Sequence, residues 1–158
     1  MIINTLKFLE GLWRGKGIAQ YPTIQKTDYI EELVFKKDND SQILFYEQKT
    51  WTKNDSKIFN KIIFWESGFL IDKSKYIELC NVQKSGRMEI LTGELLSSSN
   101  NIIEIYFRNK NIFNDERVIS SGRKFITSES EIKYELWMST NNNVKYDMHL
   151  SASLTKIS

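Results

Sequence analysis

Apolar and polar residues alternate with a period of two along much of the chain. Ile132, Tyr134, Leu136 and Met138 alternate with Lys133, Glu135 and Trp137, the spacing that sends successive side chains to opposite faces of a strand. The run from Ile43 to Trp51 suits a strand apolar on both faces at its start and polar at its end. Similar runs lie near 13–21, 28–36, 57–66, 75–82, 87–96, 101–108, 116–126 and 144–156. Between them stand clusters such as Lys37-Asp38-Asn39-Asp40, Thr127-Ser128-Glu129-Ser130 and Asn141-Asn142-Asn143. Asn, Asp and Ser make turns by bonding their own backbone and tolerating left-handed geometry. The pattern predicts about ten short strands in an antiparallel, up-and-down sheet. One short helical turn is predicted around Asn4 to Leu9, with Asn4 as its N-cap. With no helices to cover a face, the sheet is expected to close into a barrel, wide enough at ten strands to leave a ligand cavity. No linker, repeat or charge block divides the chain, so residues 1–158 read as a single domain.

Composition narrows the chemistry. Twenty-two basic residues against 20 acidic ones give a formal charge of +2, which leaves no electrostatic footprint for nucleic acid or an anionic membrane surface. No window approaches ~18 consecutive apolar residues. The first ten residues show neither a basic segment nor a cleavage motif, so a cytoplasmic protein is expected. A single cysteine, Cys80, excludes an internal disulfide framework and reads as a small core residue. A single histidine, His149, excludes multi-histidine metal sites and any triad that does not use it.

Few residues announce a site. Gly11, Gly15 and Gly17 precede a strand and no helix follows, so they do not form a phosphate loop; a bent first strand with Trp13 plugging the barrel base is expected. The pairs Glu31-Glu32 and Asp115-Glu116 point to opposite faces of their strands and read as solvated or rim charge. Glu66 lies within the apolar run Phe64 to Phe69, where a carboxylate needs a buried partner. Strict alternation groups His149 with Lys145, Asp147, Ser151 and Ser153, opposite Met148, Leu150 and Ala152. If the apolar set faces the cavity, His149 points outward; a bulge or a mixed polar interior reverses that.

The run Gly11-Leu12-Trp13-Arg14-Gly15-Lys16-Gly17-Ile18-Ala19-Gln20-Tyr21-Pro22-Thr23-Ile24 resembles the signature G-x-W-x-G-x-G-x-G-x-Y-P-T-I of the nitrobindin family, with Ala19 its one departure. These are heme-binding β-barrels of the fatty-acid-binding-protein type, also found as the C-terminal domain of some THAP proteins. The likeness continues through Tyr29 to Glu32, Leu44 to Trp51, Glu66 to Phe69 and Leu136 to Met138. It closes on His149-Leu150-Ser151-Ala152-Ser153-Leu154.

The resemblance implies a ten-stranded barrel holding ferric heme b near one open end. It implies His149 as the axial iron ligand, with Thr23 and Met138 against the heme. Members bind nitric oxide and are assigned the isomerisation of peroxynitrite to nitrate; in this chain no catalytic group is expected beyond the heme iron. Many members also carry a histidine beside the heme where this chain has Phe64, which bears on catalysis more than on heme binding. Arg123 and Lys124 are candidate partners for heme propionates by charge alone. A non-enzymatic carrier of a lipid or linear tetrapyrrole is the alternative, and a homodimer is one option for the assembly.

Overall fold

A computed structural model describes residues 6–22, 25–38, 42–52, 62–99 and 101–158, with the backbone alone at 97–99. After a 3-10 turn, Lys7–Leu9, come ten strands: β1 Gly11–Ala19, β2 Thr27–Lys37, β3 Ile43–Thr52, β4 Phe64–Asp72, β5 Ile77–Gln83, β6 Met88–Ser99, β7 Ile102–Phe113, β8 Val118–Thr127, β9 Glu131–Thr140 and β10 Asn143–Lys156. Each pairs antiparallel with its chain neighbours, and β1 pairs with β10 to close the barrel. The expected closed ten-stranded barrel is therefore the fold. Asn4, the predicted cap of the helical turn, lies outside the described residues. Among the described residues no helix is long and apolar enough to cross a membrane.

The fourth strand differs from its predicted position. It runs from Phe64 to Asp72, whereas residues 57–66 were expected; of those, 57–61 lie outside the described residues. The strand continues through Ser67 and Gly68, beyond the expected end at 66. Gly68 is needed there because a Cβ would sit 1.9 Å from the Cys80 carbonyl oxygen on β5.

The base is closed as the pattern suggests. Trp13 is fully buried under Leu6 and Leu9, and its indole N–H donates to the Leu9 carbonyl at 2.7 Å. Gly15 and Gly17 serve close packing along β1. A Cβ on Gly15 would lie 1.9 Å from the Ser153 carbonyl oxygen, and one on Gly17 would meet the Tyr29 ring at 2.2 Å.

The interior is not the open cavity that ten strands suggest. Phe35, Tyr46, Phe107, Phe125 and Tyr134 fill it around a void of about 30 Å³, room for about one water. Polar groups occupy the rest. Glu66 is buried, and its carboxylate accepts from Tyr46 Oη at 2.8 Å and from both terminal nitrogens of Arg123, Nη2 at 2.9 Å. Arg123 Nη2 also donates to Glu89 at 3.1 Å. The expectation that Glu66 needs a buried partner is met, while Arg123 lies inside the barrel rather than at its mouth. Lys124 faces outward and pairs with Glu104 at 2.7 Å.

Glu31 overturns its expectation as rim charge. It is fully buried and accepts from Tyr134 Oη, which also accepts from Gln48 at 2.8 Å. Burial pushes its carboxyl up to about 8, so it is predominantly uncharged at pH 7. Glu32, one residue on, faces out and pairs with Arg14 at 2.9 Å. Cys80 also departs from the core role expected of it. Leu79 and Asn81 are buried on either side, so Cys80 faces outward and is half-buried.

Removing one partner of a buried ion pair strands the other charge, at a cost of about 3–5 kcal/mol. Arg123→Ala leaves Glu66 with only the Tyr46 hydroxyl, so urea unfolding at pH 7 is expected to show a loss of about that size. An unchanged midpoint and slope would contradict the structural weight given to this network.

Candidate functional site

In an up-and-down barrel alternate connections share an end. The connections β1–β2, β3–β4, β5–β6, β7–β8 and β9–β10 therefore ring the rim opposite Trp13. The site lies here, and a register shift creates it. Asp147 pairs with Met138 and Met148 with Trp137, but Leu150 pairs with Leu136, which leaves His149 as an extra residue. Such a bulge re-aims a side chain that strict alternation would place on the other face. His149 and Leu150 are consequently both buried, at 2% and 7% exposure. The imidazole that plain parity directs outward is turned in.

It faces a cavity of about 230 Å³ bordered by Tyr21, Pro22, Arg87, Asp115, Val118 and Met138, among others. The Tyr21 ring meets the imidazole edge-on, with centroids 5.0 Å apart and planes at 72°. The Gln20 N–H donates to the His149 carbonyl at 2.7 Å, pinning the end of β1 onto the bulge. Neither ring nitrogen of His149 has a hydrogen-bond partner. Buried polar groups are almost always paired, so an unpaired one needs an explanation. Burial holds the imidazole's pKa below the ordinary 6.5; the Asp147 carboxylate opposes this and the Arg87 charge adds to it. A neutral imidazole with a free lone pair is the form that binds a metal.

The structure brings together two of the three residues expected at the heme, His149 and Met138. Thr23 lies outside the described residues, although Tyr21 and Pro22 just before it line the cavity. Phe64, half-buried at the start of β4, is not among the cavity's lining residues. Three charged residues that line the cavity were not expected as site residues, Arg87, Asp115 and Arg117. Arg87 lies 3.4 Å from Glu89 and 3.5 Å from Asp115, and Asp115 is bonded to Arg117 at 2.9 and 3.0 Å. The only sequence signal was the spacing of Arg87 and Glu89, which puts both on one face of a strand. Their junction with Asp115 across the β7–β8 connection had none.

An unpartnered buried imidazole, a methionine beside it and a wall of Tyr21, Pro22 and Val118 suit a flat, largely apolar group that needs one axial nitrogen. Residues 3–156 match the model of the THAP4-like heme-binding β-barrel domain. The chain belongs to this family. A peroxynitrite isomerase of Arabidopsis thaliana is 30% identical over 158 residues, covering 98% of this chain and 89% of that one. A ferric nitrobindin-like protein of Streptomyces griseus is 32% identical over 91 residues, covering 57% of this chain and 47% of that one. The crystal structure of Rv2717c from M. tuberculosis superposes with a TM-score of 0.87 at 27% identity, covering 99% and 97% of the two chains. The resemblance read from the Gly-Trp signature and the closing histidine motif thus holds at the level of the family and its heme-binding barrel.

The depressed pKa of His149 has a measurable consequence. Between its folded value and the 6.5 of an unfolded histidine, the unfolded state binds more protons, so stability falls as pH drops through that window. Ligand-free protein is expected to lose stability below pH 6.5, and His149→Gln to lack that share of the loss. Identical pH profiles for the two would contradict a buried neutral imidazole.

Proposed function

We propose that the rim cavity holds ferric heme b with His149 as its axial ligand and Met138 and Thr23 against the macrocycle, and that the protein isomerises peroxynitrite to nitrate or binds nitric oxide. The observation that carries this reading is the buried His149 imidazole, turned into the cavity by a bulge with neither nitrogen bonded. When bound, the heme supplies a ferric Lewis acid and an open coordination position for a diatomic or oxyanion ligand.

The chain's own residues have distinct tasks in this reading. His149, kept neutral by burial, offers one ring nitrogen, while the Tyr21 edge and the bulged backbone hold the ring's orientation. Met138 and Val118 supply apolar lining of the same cavity. Conversion of peroxynitrite to nitrate conserves atoms, charge and electrons, so it needs neither a reductant nor a net proton donor. The balance of the reaction therefore asks for no second imidazole, and this chain has Phe64 where many relatives have histidine. Lipid carriage finds no support in the filled interior, where about 30 Å³ leaves no room for an acyl chain.

Titration with hemin tests the reading. Wild type is expected to give a sharp Soret band, and His149→Ala to bind at least about tenfold more weakly with an altered band. An unchanged spectrum and affinity in the variant would remove His149 as ligand. Stopped-flow decay of peroxynitrite should then be faster with the ferric protein and end in more nitrate. Decay and yield equal to free buffer would leave a nitric oxide binder, and a bilin found by mass spectrometry in the purified protein would favour the carrier.

A further inference from the structure

We propose that Arg87 is the anion-binding side chain of the rim cavity, taking a carboxylate or a small planar oxyanion carried by the ligand that His149 faces. The identity of the ligand rests on the heme reading above; the negative charge it presents to Arg87 does not.

The case begins with how Arg87 is held. It closes the β5–β6 turn, where its carbonyl accepts from the Gln83 N–H at 2.9 Å, and only 12% of its side chain is exposed. Glu89 from β6 and Asp115 from the β7–β8 connection lie on its flanks, so the guanidinium is kept at the cavity by charge. Yet neither contact spends its donors. Charge-assisted N–H···O bonds run at about 2.7–2.9 Å, whereas these stand at 3.4 and 3.5 Å. The buried Nε has no hydrogen-bond partner.

Asp115 is satisfied elsewhere, and so is Glu89 through its Oε2; Glu89 Oε1, 3.4 Å from the Arg87 Nε, makes no hydrogen bond. Glu89 accepts from Arg123 at 3.1 Å and from Asn81 at 3.2 Å. Asp115 takes two bonds from Arg117, at 2.9 and 3.0 Å. Arg87 is thus positioned by two acids and bonded by neither, and a guanidinium carries five donors in a fork that fits planar oxyanions. Among the described residues Arg87, Arg117 and Asp115 line the cavity; Arg117 is bonded to Asp115, which leaves Arg87 as the lining cation without a hydrogen-bonded carboxylate.

Two sources offer the same chemistry: a propionate of the heme, or a free oxyanion such as the reaction's own substrate or product. Arg87→Ala leaves Asp115 its bonds to Arg117 and Glu89 its Oε2 bonds to Arg123 and Asn81, but removes the charge beside Glu89 Oε1, so a thermal melt checks that the variant is folded and Arg87→Lys, which keeps the charge, is read beside it. With hemin and hemin dimethyl ester as probes, about ten- to hundredfold weaker binding of hemin by Arg87→Ala, with the ester unaffected, assigns the contact to a propionate. Unchanged hemin affinity with a similar drop in nitrite affinity of the hemin-loaded ferric protein assigns it to the free oxyanion. Arg87→Lys should fall between, because an ammonium keeps the charge without the fork. Nitrate titrated into ligand-free protein, followed through the NMR signals of His149 and Tyr21, reads Arg87 even if hemin does not bind. Folded Arg87→Ala that matches wild type with hemin, its ester, nitrite and nitrate would overturn the assignment.

Discussion

A strand cannot bury two successive side chains on one side of a sheet without interrupting its own ladder, and β10 makes that interruption at His149. From Leu150 onward Leu150, Ala152 and Leu154 point inward in regular alternation. With one fewer residue between Met148 and Leu150 the ladder would be unbroken there, and no imidazole would enter the rim cavity. The Gln20–His149 backbone bond ties the end of β1 to this position, which brings Tyr21 and Pro22 over the cavity. One added residue in one strand thus assembles side chains from both ends of the sequence around a single nitrogen donor.

The rest of the barrel supports the rim by being filled. Aromatic rings and two polar networks, Tyr46-Glu66-Arg123-Glu89 and Gln48-Tyr134-Glu31, occupy the space that ten strands enclose. A ligand is thereby confined to the mouth. Glu89 connects the interior to the mouth, bonding Arg123 on one side and flanking Arg87 on the other. The ionic interior that stabilises the barrel therefore also fixes the charge presented to the cavity.

Much of the fold was legible in the sequence because it depends on local alternation. Ten apolar–polar runs separated by Asn, Asp and Ser clusters correspond to ten strands, and Glu66 was readable as a carboxylate needing a partner because aromatic residues surround it. The fourth strand was expected at 57–66 and lies at Phe64–Asp72, with Gly68 inside it for close packing. What could not be read depends on pairing between distant segments. Glu31 is separated by 103 residues from the tyrosine that bonds it, and Arg87 meets Asp115 only once β5, β6, β7 and β8 are side by side. The bulge at His149 is a register between two strands, whereas a single strand's sequence carries only parity. There the family resemblance implied a role for the histidine, and the register shows how its side chain comes to face the cavity.

A chain with one histidine allows a direct test of that role. Protein labelled with ¹⁵N only in histidine, loaded with ferric heme and examined by pulsed electron paramagnetic resonance, has one labelled residue that can couple to the iron. Strong ¹⁵N hyperfine coupling from a directly bound nitrogen is the expected result. A ferric heme complex without such coupling would contradict an axial His149, and with it the function proposed for the cavity.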